Sequence, residues 1–219
     1  MFYYIFCLGG DDMIYNYIKD NYKEGEPIFF SDIYDGTISK SALTQQLTTL
    51  CKKGLLVKYD NGIYYMPKKT RLKSAVGPTA DTVAKYRFIV KNGKIDGFYT
   101  GNTFANQIGI STQVPQVVEI VSNNTNSAPR DVIIGNRKFK VKKPLTTVTD
   151  DNVYILQMLY LLSDLDSYLD YDYEEARQCF LKFIELHNIK RSDVDEYIRK
   201  FPLTVFKFYY ELRLDNVLA

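Results

Sequence analysis

Residues 37–66 constrain the fold more than any other stretch. In "TISKSALTQQLTTLCKKG", Leu43, Leu47, Leu50 and Cys51 recur at helical spacing, Ser39 offers an N-cap and Gly54 a stop. Two apolar runs, Leu55–Asp60 and Ile63–Met66, follow directly and flank Asn61-Gly62, the strongest short-range signal for a tight β-hairpin. A helix with one buried stripe that runs straight into a hairpin must pack against earlier helices to cover that stripe. Those helices are predicted upstream. Ile14, Tyr17, Ile18 and Tyr22 space a helix over Met13–Lys23, and "FFSDIYDG" after Pro27 reads as a short helix ending at Gly36. Helix, short helix, longer helix, hairpin is the order of a winged helix-turn-helix.

Charge sharpens the reading. The net charge of +2 conceals segregation. Between Gly36 and Lys73 the basic residues are Lys40, Lys52, Lys53, Lys58, Lys68, Lys69, Arg71 and Lys73, against Asp60 alone. A second basic block, "RDVIIGNRKFKVKK", runs from Arg130 to Lys143, whereas the last third centres on the acidic "DLDSYLDYDYEE". Such separation fits a half that faces a polyanion and a half that is solvated or meets a partner.

On the third helix the apolar stripe leaves Lys40, Ser41, Thr44, Gln45 and Thr48 facing away, with Ser39 at its start. These side chains can donate to and accept from base edges in the major groove, which admits a helix. Lys52, Lys53, Lys58, Lys68, Lys69 and Arg71 are expected to neutralise phosphates, which adds affinity without sequence information. Two blander readings compete: a merely solvated helix face, and a winged helix that touches only protein.

Residues 67–79, "PKKTRLKSAVGPT", read as a basic linker, so domains are expected over 1–69 and 70–219. The second region mixes a strand in "IDGFYTG", a short helix in "NTFANQIG", a β-run in "QVVEIVSN" and a hairpin around Gly135-Asn136. From about residue 150 the signals are helical: "VYILQMLYLL", Tyr173–Leu186, Ser192–Lys200 and a last helix after Pro202. The expected class is α+β, a winged helix-turn-helix followed by a mixed α/β domain with a helical C-terminal tail.

Cys7, Cys51 and Cys179 are odd in number and lack C-x-x-C spacing, which points to reduced thiols in the cytoplasm and to no zinc site. No run approaches the roughly 20 apolar residues of a membrane span, and "MFYYIFCLGG" lacks the basic start and small-residue site of a signal peptide. Met13 is a candidate initiator. "GFYTGNT" is not a phosphate loop, because its glycines are too close and Asn102 stands where a lysine is required. His187 has no nucleophile motif beside it and reads as a helix-end cation. The acidic cluster lacks the spacing of a calcium loop. No catalytic residue, metal or cofactor is expected.

"GFYTGNTFANQIGISTQVPQVVEIVSNN" followed by "RDVIIGNRKFKVKKP" resembles the AbiEi-type antitoxins of type IV toxin–antitoxin, or abortive-infection, systems. The resemblance covers roughly residues 13–165 and is most specific at "STQVP". It implies a repressor that binds inverted repeats in its own promoter through the winged helix. It further implies a C-terminal domain that counteracts a cognate AbiEii-type nucleotidyltransferase toxin, with no stable complex required. Gln113, Arg130, Arg137, Lys138, Lys140, Lys142 and Lys143 are the candidate antitoxin surface, suited to an anionic partner. The competing readings are a strand edge protected by lysines and, for "STQVP", a purely structural turn. The alternative function is a winged-helix regulator whose C-terminal domain senses a ligand or dimerises.

Overall fold

A computed structural model describes residues 11–68, 77–91, 93–126, 128–170 and 172–216. The protein is mixed α+β and divides into two compact units, Met1–Val83 and Ala84–Ala219. The expected boundary at residue 69 lies outside the described residues; the division falls after Val83.

The first unit runs α1 (Asp11–Asn21), β1 (Ile28–Phe29), α2 (Phe30–Ile33), α3 (Lys40–Lys52), β2 (Val57–Asp60) and β3 (Ile63–Tyr65). Its strands form one antiparallel sheet in the order β1-β3-β2. The helical spacing of α3 is realised in packing. Leu43, Leu47 and Leu50 are fully buried against Ile14 and Ile18 of α1, Ile28, Ile33, Leu56 and Tyr64. Each such leucine contributes about 1.5–3 kcal/mol by leaving water. The Ser39 hydroxyl caps α3 by accepting from the Ala42 amide, worth about 1 kcal/mol. Gly54, at φ +71°, ends it.

Two details differ from expectation. The "FF" before α2 opens as a two-residue strand, with Ile28 opposite Tyr64 and Phe29 opposite Ile63. At the hairpin, Gly62 takes positive φ and Asn61 does not, so the mirror-image two-residue turn implied by Asn-Gly is absent. The register shifts between Lys58 and Asp60 to absorb the difference.

In the sequence that follows, α4 (Ala80–Phe88) crosses the division between the units. The second unit continues with a β4–β5 ribbon (Val90–Lys91, Lys94–Ile95), β6 (Gly97–Tyr99), α5 (Gly101–Ile108), β7 (Val117–Ser122), β8 (Arg130–Ile134) and β9 (Arg137–Lys142). Strands β6 to β9 make one sheet in the order β6-β7-β9-β8, in which β7 and β9 run parallel and the other pairs antiparallel. Then come α6 (Val153–Leu162), α7 (Tyr173–His187), α8 (Arg191–Tyr197) and α9 (Leu203–Glu211). Helix α6 is apolar nearly all round and is buried on nearly every side, as such a helix must be. It forms the centre of a core that takes in Phe98 and Val121 from the sheet, Phe104 from α5, Phe180 and Phe183 from α7, and Phe208 from α9. No helix among the described residues is long and apolar enough to cross a membrane.

Candidate nucleic-acid interface

Helix α3 presents the predicted polar set as one exposed face. Ser39, Lys40, Ser41, Thr44, Gln45 and Thr48 are all exposed, opposite the buried leucines. The side chains are not equivalent. Thr44 and Thr48 turn their hydroxyl hydrogens back onto the Lys40 and Thr44 carbonyls, at 2.8 and 2.7 Å. That leaves a methyl group and an acceptor oxygen facing outward. Ser39 is engaged in the cap and lies 3.0 Å from the Ser41 hydroxyl. The Lys40 ammonium sits 5.6 Å from the Tyr34 ring centre. Gln45, whose side chain makes no hydrogen bond among the described residues, retains its full donor and acceptor pair.

The flanking cations divide by place. Lys52 and Lys53 end α3, and both are exposed. Lys58, exposed on β2, is close enough to the Cys51 thiol in the last turn of α3 to offset part of the burial that pushes that thiol's pKa up. These three cations therefore gather at the C-terminal end of α3. Lys58 also donates to the Asn61 side chain at 3.1 Å. Lys68 is exposed with its stem against the α1–β1 connection, where a Cβ on Gly25 would fall 2.7 Å from its Cε. Lys69 and Arg71 lie outside the described residues. Helix α3 carries no acidic residue.

The candidate residues of the second unit do not form one surface. Strand alternation puts Lys138, Lys140 and Lys142 on one sheet face. Arg130 and Arg137 fall on the other, in register with the buried Val141 and Ile134. Lys138 and Lys140 join Gln113 around an open groove of about 690 Å³, together with Asn102, Glu119 and Asp131. Lys138 pairs with Asp131 at 2.8 Å, and Glu119 stands in register with Lys140. The groove is thus of mixed charge. The Glu119 carboxylate also abuts Gly101 at the start of α5, where any Cβ would collide with it. Lys142 and Lys143 line a separate hollow of about 270 Å³.

The "STQVP" segment is pinned by a residue that its own sequence does not reveal. Asp170 accepts from the Thr112 amide (2.6 Å) and hydroxyl (2.8 Å), the Ser111 hydroxyl (3.1 Å) and the Gln113 amide group (3.3 Å). The Thr112 bonds, then those of Ser111 and Gln113, hold its carboxyl below the ordinary aspartate range. One acidic residue of the tail therefore has a structural role. Nothing in a separation of 58 residues signals it.

His187 packs against neighbouring rings. It stacks on Tyr154 at 3.6 Å between ring centres, and burial lowers its pKa. It ends α7 as a packed ring whose burial disfavours the charged form. Among the described residues, Cys51 and Cys179 are free thiols, both pushed up by burial, and no cluster of metal-ligating side chains exists.

The fold and surface define a two-unit α+β protein whose first unit carries a lysine-bearing helix and hairpin. A family model matches residues 13–163, and the chain belongs to that family of unknown function, DUF6088. The match ends immediately before the acidic run that begins at Asp164. No curated protein matches the chain.

Proposed function

We propose that the first unit is a winged helix-turn-helix that binds double-stranded DNA, with α3 as its groove-reading helix and the β2–β3 hairpin as its wing. The observation that carries this reading is the face of α3. Lys40, Ser41 and Gln45 stand exposed on an acid-free helix, and Lys52, Lys53 and Lys58 cluster at its end. A helix merely solvated on one side has no need of that one-sided charge. The order of helices and strands and the small antiparallel sheet support the same reading. Gln45 and Lys40 read bases, Ser41 and the acceptor oxygens of Thr44 and Thr48 assist, and the remaining lysines hold phosphates.

The resemblance to AbiEi-type antitoxins extends the proposal. The protein represses its own promoter at inverted repeats in the cytoplasm, and its second unit counteracts a nucleotidyltransferase toxin. The groove bearing Gln113, Lys138 and Lys140 is the surface through which that second activity would act.

The test is a gel-shift titration against the protein's own upstream DNA, with an unrelated duplex as control. Selective shifts that weaken steeply with salt are expected. Absence of any shift at low salt overturns the DNA reading. The antitoxin half is tested separately by co-expression with an AbiEii-type nucleotidyltransferase, which that reading expects to be encoded beside it. Growth rescue that survives Lys138→Ala and Lys140→Ala together would remove the groove from the mechanism.

A further inference from the structure

The hollow beside Lys142 has the composition of a small-ligand site. Its walls are mainly apolar, from Leu145, Tyr160, Phe201 and Pro202, and Lys142 and Lys143 also line it. Tyr160 is buried and held rigidly, edge-on to Phe201 at 5.1 Å and to Phe98 at 5.4 Å. Its hydroxyl accepts from the Leu145 amide at 2.8 Å, and its own hydrogen has no acceptor among the described residues. The half-buried Lys142 ammonium lies 5.2 Å from the Tyr160 ring centre. Lys142 too has no hydrogen-bond acceptor or ion-pair partner among the described residues. Glu119 and Asp164 act on it only from a distance, and Lys140 opposes them. Burial pushes this ammonium below the ordinary lysine range, as expected of a cation that has lost water without gaining a carboxylate. Two donors without acceptors thus meet at an apolar hollow. Partly buried donors in a native structure call for a partner.

We propose that this hollow binds a small aromatic carboxylate, with its acid group accepting from Lys142 and Tyr160 and its ring lying among Phe201, Pro202 and Leu145. The volume of about 270 Å³ falls just below the usual range of ligand pockets and suits a single ring system better than a nucleotide. An inorganic anion alone would leave the apolar walls unused. The hollow lies wholly within the second unit, and it would bind its ligand whether or not the first unit binds DNA.

The experiment is a calorimetric titration of the full chain with benzoate, with benzamide and inorganic phosphate as controls. Saturable benzoate binding is expected with a Kd on the order of 0.1–1 mM. Benzamide and phosphate should each bind about tenfold weaker or worse, since a charge-assisted hydrogen bond or the ring contact is lost. Lys142→Met should weaken benzoate about tenfold and Tyr160→Phe about threefold, with melting curves recorded for both. If Lys142→Met does not fold, Lys142→Arg should retain binding within a few-fold, and Tyr160→Phe carries the test. No saturable benzoate binding, equal affinity for benzamide or for phosphate, or indifference to the substitutions would each overturn the assignment.

Discussion

Replacing Lys52 and Lys58 by glutamine separates charge from base reading in the proposed interface. Both are exposed, and both stand at the C-terminal end of α3, outside the buried leucine stripe. Each phosphate contact contributes about 0.9 to the slope of log affinity against log salt. If Lys52, Lys53, Lys58 and Lys68 all meet phosphate, one copy has a slope near −3.6. Raising salt from about 50 to about 200 mM then weakens the wild type by roughly 150-fold and the double variant, at a slope near −1.8, by roughly 12-fold. Gln45→Ala should do the opposite. It leaves the slope unchanged and costs about 1–3 kcal/mol of preference for the upstream sequence over an unrelated duplex. The assay is fluorescence anisotropy on both duplexes at several salt concentrations, with circular dichroism confirming the fold. A double variant whose salt slope matches the wild type would refute the assignment of these lysines to phosphate. A Gln45→Ala protein that loses slope but not sequence preference would refute the assignment of α3 as the reading helix.

Three further outcomes follow from packing and protonation. Leu47→Ala should destabilise the first unit by about 2–5 kcal/mol, because Leu47 is fully buried between α3 and α1, and urea unfolding measures the loss. In Gly97→Ala the new methyl group would collide with the Phe88 and Val121 carbonyls, both backbone, so the second unit should lose about 2–4 kcal/mol, read from its melting transition. Asp170→Asn should speed hydrogen exchange at the Thr112 amide, the shortest of the bonds to that carboxylate. In the wild type the folded carboxyl titrates below its unfolded value. Protection of Thr112 should therefore be complete above about pH 4 and fade as pH falls through the lowered pKa, whereas the variant should be weakly protected throughout. Unchanged exchange in Asp170→Asn would show that the loop holds itself.

Local chemistry was the legible part of this chain. The stripe of Leu43, Leu47 and Leu50, the Ser39 cap and the Gly54 stop lie within one helix and depend only on near neighbours, so spacing alone placed them. The same holds for α5 with its Gly109 end, at φ +86°, and for the β8–β9 hairpin. What escaped was fixed at a distance. Strand β1 is too short to have a pattern and exists because β3 offers it partners. Asn61 kept negative φ because the bulge near Lys58 sets the hairpin twist instead. The candidate lysines around residue 140 read as one basic block in sequence, but strand alternation sends Arg137 and Lys138 to opposite faces, and a register partner at Asp131 brings negative charge among them. The Asp170 anchor and the hollow beside Tyr160 depend on helices packing onto the sheet, which no local window contains.

The parallel pairing of β7 with β9 has a consequence for how the second unit assembles. Strand β8 lies outermost, so the chain leaving β7 must pass beyond the place of β9 before turning back to fill it. The β8–β9 hairpin closes over two residues at Gly135-Asn136, a fast local event, while its docking beside β7 closes a longer loop. The lower closure cost therefore favours a hairpin that forms before it docks beside β7. Until it does, the edge of β7 that β9 will cover stays open, and that interval is when a growing chain would be most prone to pair with a neighbour.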